Sequence, residues 1–280
     1  MLFQRLALLL ILFTTNLFAA PVERVISLAP HITELLYAAG LGAKLVAVSE
    51  YSDYPLQAKQ IETVSNHQGL KLERIIALRP DLVVAWPGGN PAKEIDKLKA
   101  FNINVYPINI QSLDDIAHYL EKLSLYAPDP DIGQQAAKSF RQQLSEIRQK
   151  YQVDTPIRYF YQLSEQPLMT VAKNHWPSEV FSFCGGVNVF ENSPVPYPQV
   201  GKEQVILKNP DVIFVSPSSS ATSLWANWKT QMTAVQNHHI WSINSDWLSR
   251  PTPRTLKAIE QVCTHFETLK KSAVADKNSH

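Results

Sequence analysis

LERIIALRPDLVVAW runs from Leu72 to Trp86, and KEQVILKNPDVIFVS runs from Lys202 to Ser216. The two stretches share one register: a glutamate, a short apolar run, Pro-Asp and a β-rich apolar segment. Glu73 lies seven residues before Pro80, Glu203 lies seven before Pro210, and the two copies are 130 residues apart. Each reads as a helical turn led by glutamate, stopped by a proline that cannot continue a helix. A continuous apolar strand follows, of the kind buried on both faces of a parallel sheet. A spacing of about one domain predicts two similar lobes, each presenting one glutamate at a helix start.

Outward from the first copy, RVISLAP (Arg24 to Pro30) reads as a strand and HITELLYAAG as a short helix stopped by Gly40. LVAVS (Leu45 to Ser49) is a strand that enters the aromatic loop EYSDYP, and VSNHQG is a polar connection. WPGGNP forms a loop at the carboxyl end of the repeat strand, where open α/β sheets hold ligands. A helix from Ala92 to Phe101, a strand around INVYPI and a helix opened by Ser112 complete this lobe. Strand and helix alternating at this spacing predict the α/β class with parallel sheets.

Between Pro130 and Pro156 lies the longest proline-free helical pattern, with apolar positions Ile132, Ala136, Phe140, Leu144, Ile147 and Tyr151 at intervals of three or four. At about 22 residues it would span about 33 Å, a brace rather than a flexible linker. The second lobe repeats the plan. IRYFYQL, NVF and IWSIN are strands, SPVPYPQV matches the first aromatic loop, LWANWKT is helical, and SDWLSRPTPR is a loop before a final helix from Pro253 to Lys271. The boundaries read as 1–20 signal peptide, 21–129 N-terminal lobe, 130–153 linking helix, 154–272 C-terminal lobe and 273–280 polar tail.

The signal peptide is read from Arg5, an apolar run from Leu6 to Phe13, and Ala19-Ala20. The run is shorter than the roughly 20 residues that span a bilayer, so this is an export signal. Without Arg5 the chain carries 25 basic against 25 acidic residues, which excludes a global field for nucleic acid or an anionic membrane. Binding must come from a local site. The only cysteines, Cys184 and Cys263, form an even pair in an exported chain and predict a disulfide.

Tyr51, Tyr54, Trp86, Tyr197 and Trp247 all fall in loops after strands, with Asp246 and Arg250 beside the last. Aromatics so placed point to a flat apolar ligand gripped between lobes, with Asp and Arg set for its polar substituents. The sequence holds no G-x-S-x-G elbow, H-E-x-x-H, P-loop or C-x-x-C, so no enzyme is predicted. An exported α/β enzyme using Asp246 or His67 as acid or base is the rival of another class, and nothing supplies it with a nucleophile. His67 stands immediately before the first repeat, near the expected cleft.

Nearly all of the chain after the signal resembles the periplasmic vitamin B12-binding proteins that feed ABC importers. The resemblance rests on YSDYP (Tyr51 to Pro55), LERIIALRPDLVVAW with GGN after it, CGG (Cys184 to Gly186), VPYPQV with Glu203, and SDW…R..PR (Ser245 to Arg254). It implies two Rossmann-like lobes joined by one long helix and a periplasmic, monomeric carrier that holds cobalamin in a cleft with little opening motion. Cobalamin would be cargo rather than cofactor. Tyr51, Trp86, Tyr197 and the segment Asp246, Trp247, Leu248, Ser249 and Arg250 would line the site, with His67 at its edge. Glu73 and Glu203 would dock onto arginines of the permease, and Cys184 with Cys263 would be the family disulfide. Two departures are visible: His67 stands where close relatives carry tryptophan, and Tyr197 where tryptophan is usual. Both keep a planar side chain with less stacking area. His67 also brings an imidazole that could ligand the cobalt. An iron-siderophore or haem receptor of the same fold is the alternative, but it calls for several cations facing an anionic ligand, and Arg250 is the only basic residue of the aromatic loop set.

Overall fold

The structure, a computed structural model, describes residues 22–151, 155–217 and 224–277. The expected signal peptide and the last three residues of the chain lie outside these.

Two sheets carry the fold. The first has six strands in the order β4-β3-β2-β1-β5-β6: β1 Val25–Ser27, β2 Leu45–Ser49, β3 Thr63–Asn66, β4 Gly69–Leu70, β5 Leu82–Ala85 and β6 Val105–Pro107. All its pairs are parallel except the β3–β4 hairpin. The second sheet is wholly parallel, in the order β10-β7-β11-β12: β7 Ile157–Tyr161, β10 Gly186–Asn188, β11 Val212–Val215 and β12 Ile240–Ser242. A small hairpin joins β8 (Ser164–Glu165) to β9 (Leu168–Met169). Strand β3 falls in the stretch read as a polar connection, and of its four residues the adjacent Val64 and Ser65 are buried.

The repeated stretch occupies matched places. In the first copy, helix α2 (Leu72–Ala77) leads to β5; in the second, α7 (Lys202–Lys208) leads to β11. Both strands lie inside their sheets and are buried along their whole length, as a continuous apolar run requires. The residues before the two prolines, Arg79 and Asn209, both adopt positive φ, 46° and 42°, which ends each helix and turns the chain toward its strand. The aspartate after each proline fastens the turn. Asp81 accepts from the backbone N–H groups of Glu23 and Arg24 at 2.9 Å, and Asp211 from that of Arg158 at 2.9 Å. Arg24 in turn donates to the Leu78 carbonyl at 2.7 Å, and Arg158 to the carbonyls of Lys208 and Asn209. Pro-Asp therefore locks each repeat strand to the first strand of its own sheet.

Helix α5 (Pro130–Lys150) opens with Asp129 as N-cap and Pro130 at its first position. It packs along α4 (Leu113–Ser124) of the first lobe and reaches α10 (Thr255–Lys277) of the second. Its buried stripe is Gly133, Ala137, Phe140 and Ile147. The expected stripe was one position out at its start: Ile132 is 47% exposed, because α4 approaches so closely that only glycine fits the facing position. A Cβ on Gly133 would lie 2.5 Å from that of Ser124. At the far end the Tyr151 hydroxyl bonds to Thr264 of α10 at 2.9 Å.

Three further elements differ from the sequence reading. The LWANWKT segment is α-helical only at Leu224 and Trp225 and continues as a 3-10 turn at Ala226–Trp228, with Trp225 fully buried and its indole N–H donated to Gln162 at 2.9 Å. The SDWLS segment, read as loop, is a short helix capped by the Asn244 side chain. The last helix runs through Lys277 instead of stopping at Lys271, since Ala273 and Ala275 favour helix and nothing in the sequence ends it there. No helix among the described residues is long and apolar enough to cross a membrane.

Cys184, after helix α6 (Ser178–Phe183), and Cys263 of α10 are disulfide-bonded, with Cα atoms 5.0 Å apart and both side chains in the core. Closing a loop of 79 residues stabilises the fold by about 4 kcal/mol in the chain-entropy model. Replacing both cysteines by serine should lower the unfolding free energy by about that amount in a denaturant titration; an unchanged midpoint would contradict it.

Candidate functional site

The segments that carry the aromatic loops leave their sheets at the carboxyl ends of parallel strands. Glu50 to Tyr54 follows β2, Trp86 to Asn90 follows β5, and the helix Ser245–Ser249 (α9) follows β12. The Trp86 turn shows why its sequence is WPGGN. Asn90 accepts from the Trp86 backbone N–H at 2.7 Å and donates to the Leu28 carbonyl at 2.9 Å, closing the turn onto the first strand. The chain then folds back over the indole, leaving no room for side chains. A Cβ on Gly89 would lie 2.2 Å from the indole ring, and one on Gly88 2.7 Å from its nitrogen. Trp86 is thereby held at the surface, 37% exposed, against the buried ring of His31 at 5.3 Å edge to face.

The two lobes meet through charges that sequence reading left apart. Glu34, in the first-lobe helix α1 (Pro30–Ala38), is 4% exposed, and its carboxylate accepts from both Arg250 and Arg254 of the second lobe. The Arg254 Nε lies 2.8 Å from Glu34 Oε2. Arg250 is 3.2 Å from Glu34, 2.6 Å from Asp53 and 3.1 Å from Asp246. The Arg254 guanidinium also lies over the Tyr54 ring at 4.0 Å. Burial pushes the Asp53 carboxyl up, but the hydrogen bond and charge of Arg250 outweigh it and hold the group below its usual range.

Beneath this cluster lies a layer of buried hydroxyls. Thr33 donates to Ser27 at 2.8 Å and lies 2.8 Å from Ser52, which is 3.0 Å from Ser49. Next to them, burial and then the charge of Arg250 lower the His31 pKa from 6.5 to about 4. His31 is thus neutral at neutral pH.

The structure brings together Asp246 and Arg250 and adds Glu34, Asp53 and Arg254, which the sequence reading did not assign to the site. Arg254 falls inside the SDW…R..PR string, but as the end of a stretch read as loop; the carboxylates gave no local signal. Tyr51 is 70% exposed and sits at a positive φ of 62°. Tyr197, 46% exposed, donates its hydroxyl to the Trp176 carbonyl at 3.4 Å, and the Trp176 indole donates to the Leu248 carbonyl at 2.8 Å. Trp247 is half-buried under the ammonium of Lys257, 5.3 Å from its ring. Ser249 is exposed and hydrogen-bonded to the buried Tyr161. Leu248 corrects the expected lining: it is fully buried, the inward face of α9, and presents no surface to a ligand. His67 is exposed on the β3–β4 turn, its Nδ1 3.8 Å from Glu50 Oε2.

Glu73 and Glu203 lie in the first turns of α2 and α7. In a parallel sheet the returning helices run against the strands, so both helices begin at the edge that carries the aromatic loops. Both glutamates are exposed, and neither has an ion-pair or hydrogen-bond partner among the described residues.

Residues 25–246 match the family described as "Periplasmic binding protein". The chain belongs to this family. Among curated relatives, it is 57% identical over 271 residues to a vitamin B12-binding protein of Vibrio parahaemolyticus, covering 96% of this chain and 98% of that one. A vitamin B12-binding protein of Yersinia pseudotuberculosis is 44% identical over 266 residues, covering 95% and 94%. The crystal structure of the periplasmic vitamin B12-binding protein of Vibrio cholerae superposes with a TM-score of 0.87 at 56% identity, covering 90% of this chain and 99% of that one. A periplasmic haem-binding protein from Roseiflexus, 20% identical, shares the fold with a TM-score of 0.77 over 88% of this chain and 98% of that one.

As in any buried histidine held neutral, the folded periplasmic binding protein resists a proton that its unfolded chain accepts. Below pH 6.5 the unfolded state takes up the proton first, so stability falls with pH down to about 4 and then levels as the folded state protonates too. His31 should account for about 3 kcal/mol of lost stability across that window. Unfolding measured at pH 7 and pH 4.5 should show a smaller drop for His31→Gln than for the wild type; equal drops would contradict the assignment.

Proposed function

We propose that this periplasmic binding protein carries cobalamin (vitamin B12) between its two lobes, 21–129 and 154–272, and hands it to the permease of an ABC importer. The observation that carries the reading is the set of exposed rings, Tyr51 and Trp86 from one lobe and Tyr197 from the other, around a base of paired charges. Flat rings suit a corrin, and Asp246, Ser249, Asp53 and Arg250 suit its amide substituents. The vitamin B12-binding relatives, alike over nearly their whole length, point the same way. The siderophore or haem alternative loses ground because both guanidiniums at the base already engage carboxylates. The protein acts as a carrier, with no chemical step of its own, and as a monomer until it docks.

His67 refines the site. A small swing would let its Nδ1–H meet the Glu50 carboxylate, leaving the Nε2 lone pair for the upper face of cobalt. Aquocobalamin bound to the wild type should show a shifted visible spectrum that His67→Ala lacks; identical spectra would remove His67 from the cobalt.

For the binding itself, protein incubated with cobalamin and desalted should retain the corrin absorbance. Trp86→Ala and Tyr197→Ala should each weaken affinity about tenfold or more, since a lost ring contact is worth about 1 kcal/mol beyond the area it buried. Full affinity in the double variant would place the ligand elsewhere.

Docking is assigned to Glu73 and Glu203. The bland account, two acids that complement helix dipoles, fits each alone, yet both remain exposed on matched helices of lobes joined by a stiff brace. A rigid bivalent contact avoids the ordering cost of a floppy one. Glu73→Arg with Glu203→Arg should abolish assembly with the permease while leaving the corrin-binding spectrum in place. Loss of cobalamin binding with assembly intact would overturn the docking role.

A further inference from the structure

Arg250 and Arg254 bring two positive charges to the base of the cleft, and Glu34, Asp53 and Asp246 bring three negative ones. The linked pairs lie 3.2 Å or less apart, so the five side chains act as one electrostatic unit. Its formal sum is one negative charge. His31, which feels the charge of Arg250, adds none at neutral pH. Two lysines lie at the margin: Lys257 over Trp247, and Lys59, whose charge is the smallest influence on Asp53.

Burial divides the unit. The Glu34 side chain is 3% exposed and those of the two arginines 13% and 14%, whereas Asp53 and Asp246 are 42% and 48% exposed. A ligand entering the cleft therefore meets the two aspartates before the cations they cover. Uncharged amides can donate to those carboxylates and accept from the remaining guanidinium N–H groups. A ligand carboxylate meets repulsion from like charges at short range, which weakens its binding most where water is excluded.

We propose that Asp53 and Asp246 are specificity-determining residues that make the cleft select amide-bearing corrinoids over their carboxylate forms. The inference rests on the cobalamin reading and adds to it a sign: the cleft rejects anions although two arginines lie in it. The same charge arrangement disfavours anionic tetrapyrroles as a class.

The test compares cyanocobalamin with its separated monocarboxylic acid derivatives, each with one side-chain amide hydrolysed, by titration at pH 7.5 and low salt. At least one isomer should bind wild type about tenfold or more weakly than cyanocobalamin, and the deficit should shrink with added salt as the charges are screened. In Asp53→Asn combined with Asp246→Asn the base becomes positive, and the affinity ratio of acid to amide should rise at least about tenfold towards or past unity. Glu34 and the arginines are untouched in that variant, so the buried Glu34 part of the contact between lobes is retained while the Arg250–Asp53 ion pair becomes a neutral contact. Equal affinity of wild type for all the acids and for cyanocobalamin would overturn the proposal, as would a ratio that the double variant leaves unchanged. Absence of cyanocobalamin binding by the wild type would instead overturn the cobalamin reading itself, and the selectivity with it.

Discussion

Glu34 holds two arginines from the other half of the chain, more than 200 residues away, and the geometry of the cleft depends on that contact. A carboxylate this deeply buried has lost most of its hydration, which costs several kcal/mol unless charges and hydrogen bonds replace it. Two guanidiniums do so. The pairing adds little net stability compared with an apolar contact, but breaking it leaves an uncompensated buried charge. Its effect is to fix position: the lobes can separate only by returning Glu34, Arg250 and Arg254 to water together.

Other features act in the same direction. Helix α5 packs on α4 of one lobe and α10 of the other, and the disulfide ties α10 to its own sheet. The Pro-Asp turns hold α2 and α7 against the first strand of each sheet. A chain built so presents the aromatic loops and the two glutamates on a frame whose spacing is set by packing. On the proposed reading, ligand grip comes from rings already in place, which limits the ordering cost of binding.

Much of this was legible in the sequence because it rests on local rules. The repeated Glu…Pro-Asp register gave the place and burial of β5 and β11, and the even cysteine pair in an exported chain gave the disulfide. What escaped depends on partners distant in the chain. Nothing around Glu34 distinguishes it from the acid of an exposed first turn; only folding brings Arg250 and Arg254 to it. Leu248 lies in a stretch read as lining the cleft, and its inward turn follows from α9 being helical where a loop was read. Ile132 was placed in the buried stripe by its apolarity, whereas the close approach of α4 gives that position to Gly133. Asp81 and Asp211 were visible in the repeat, but their role as backbone acceptors requires knowing which strand lies beside them.

The central claim is that the cleft is held at a fixed width by the Glu34 contact and the α5 brace. Spin labels on Glu73→Cys and Glu203→Cys, with the native cysteines closed in their disulfide, report the distance between the two helix starts by pulsed electron resonance. The account predicts one narrow distance distribution that cobalamin leaves unchanged and that Glu34→Gln broadens. A distribution that shifts on adding cobalamin, or that Glu34→Gln leaves as narrow as before, would contradict it.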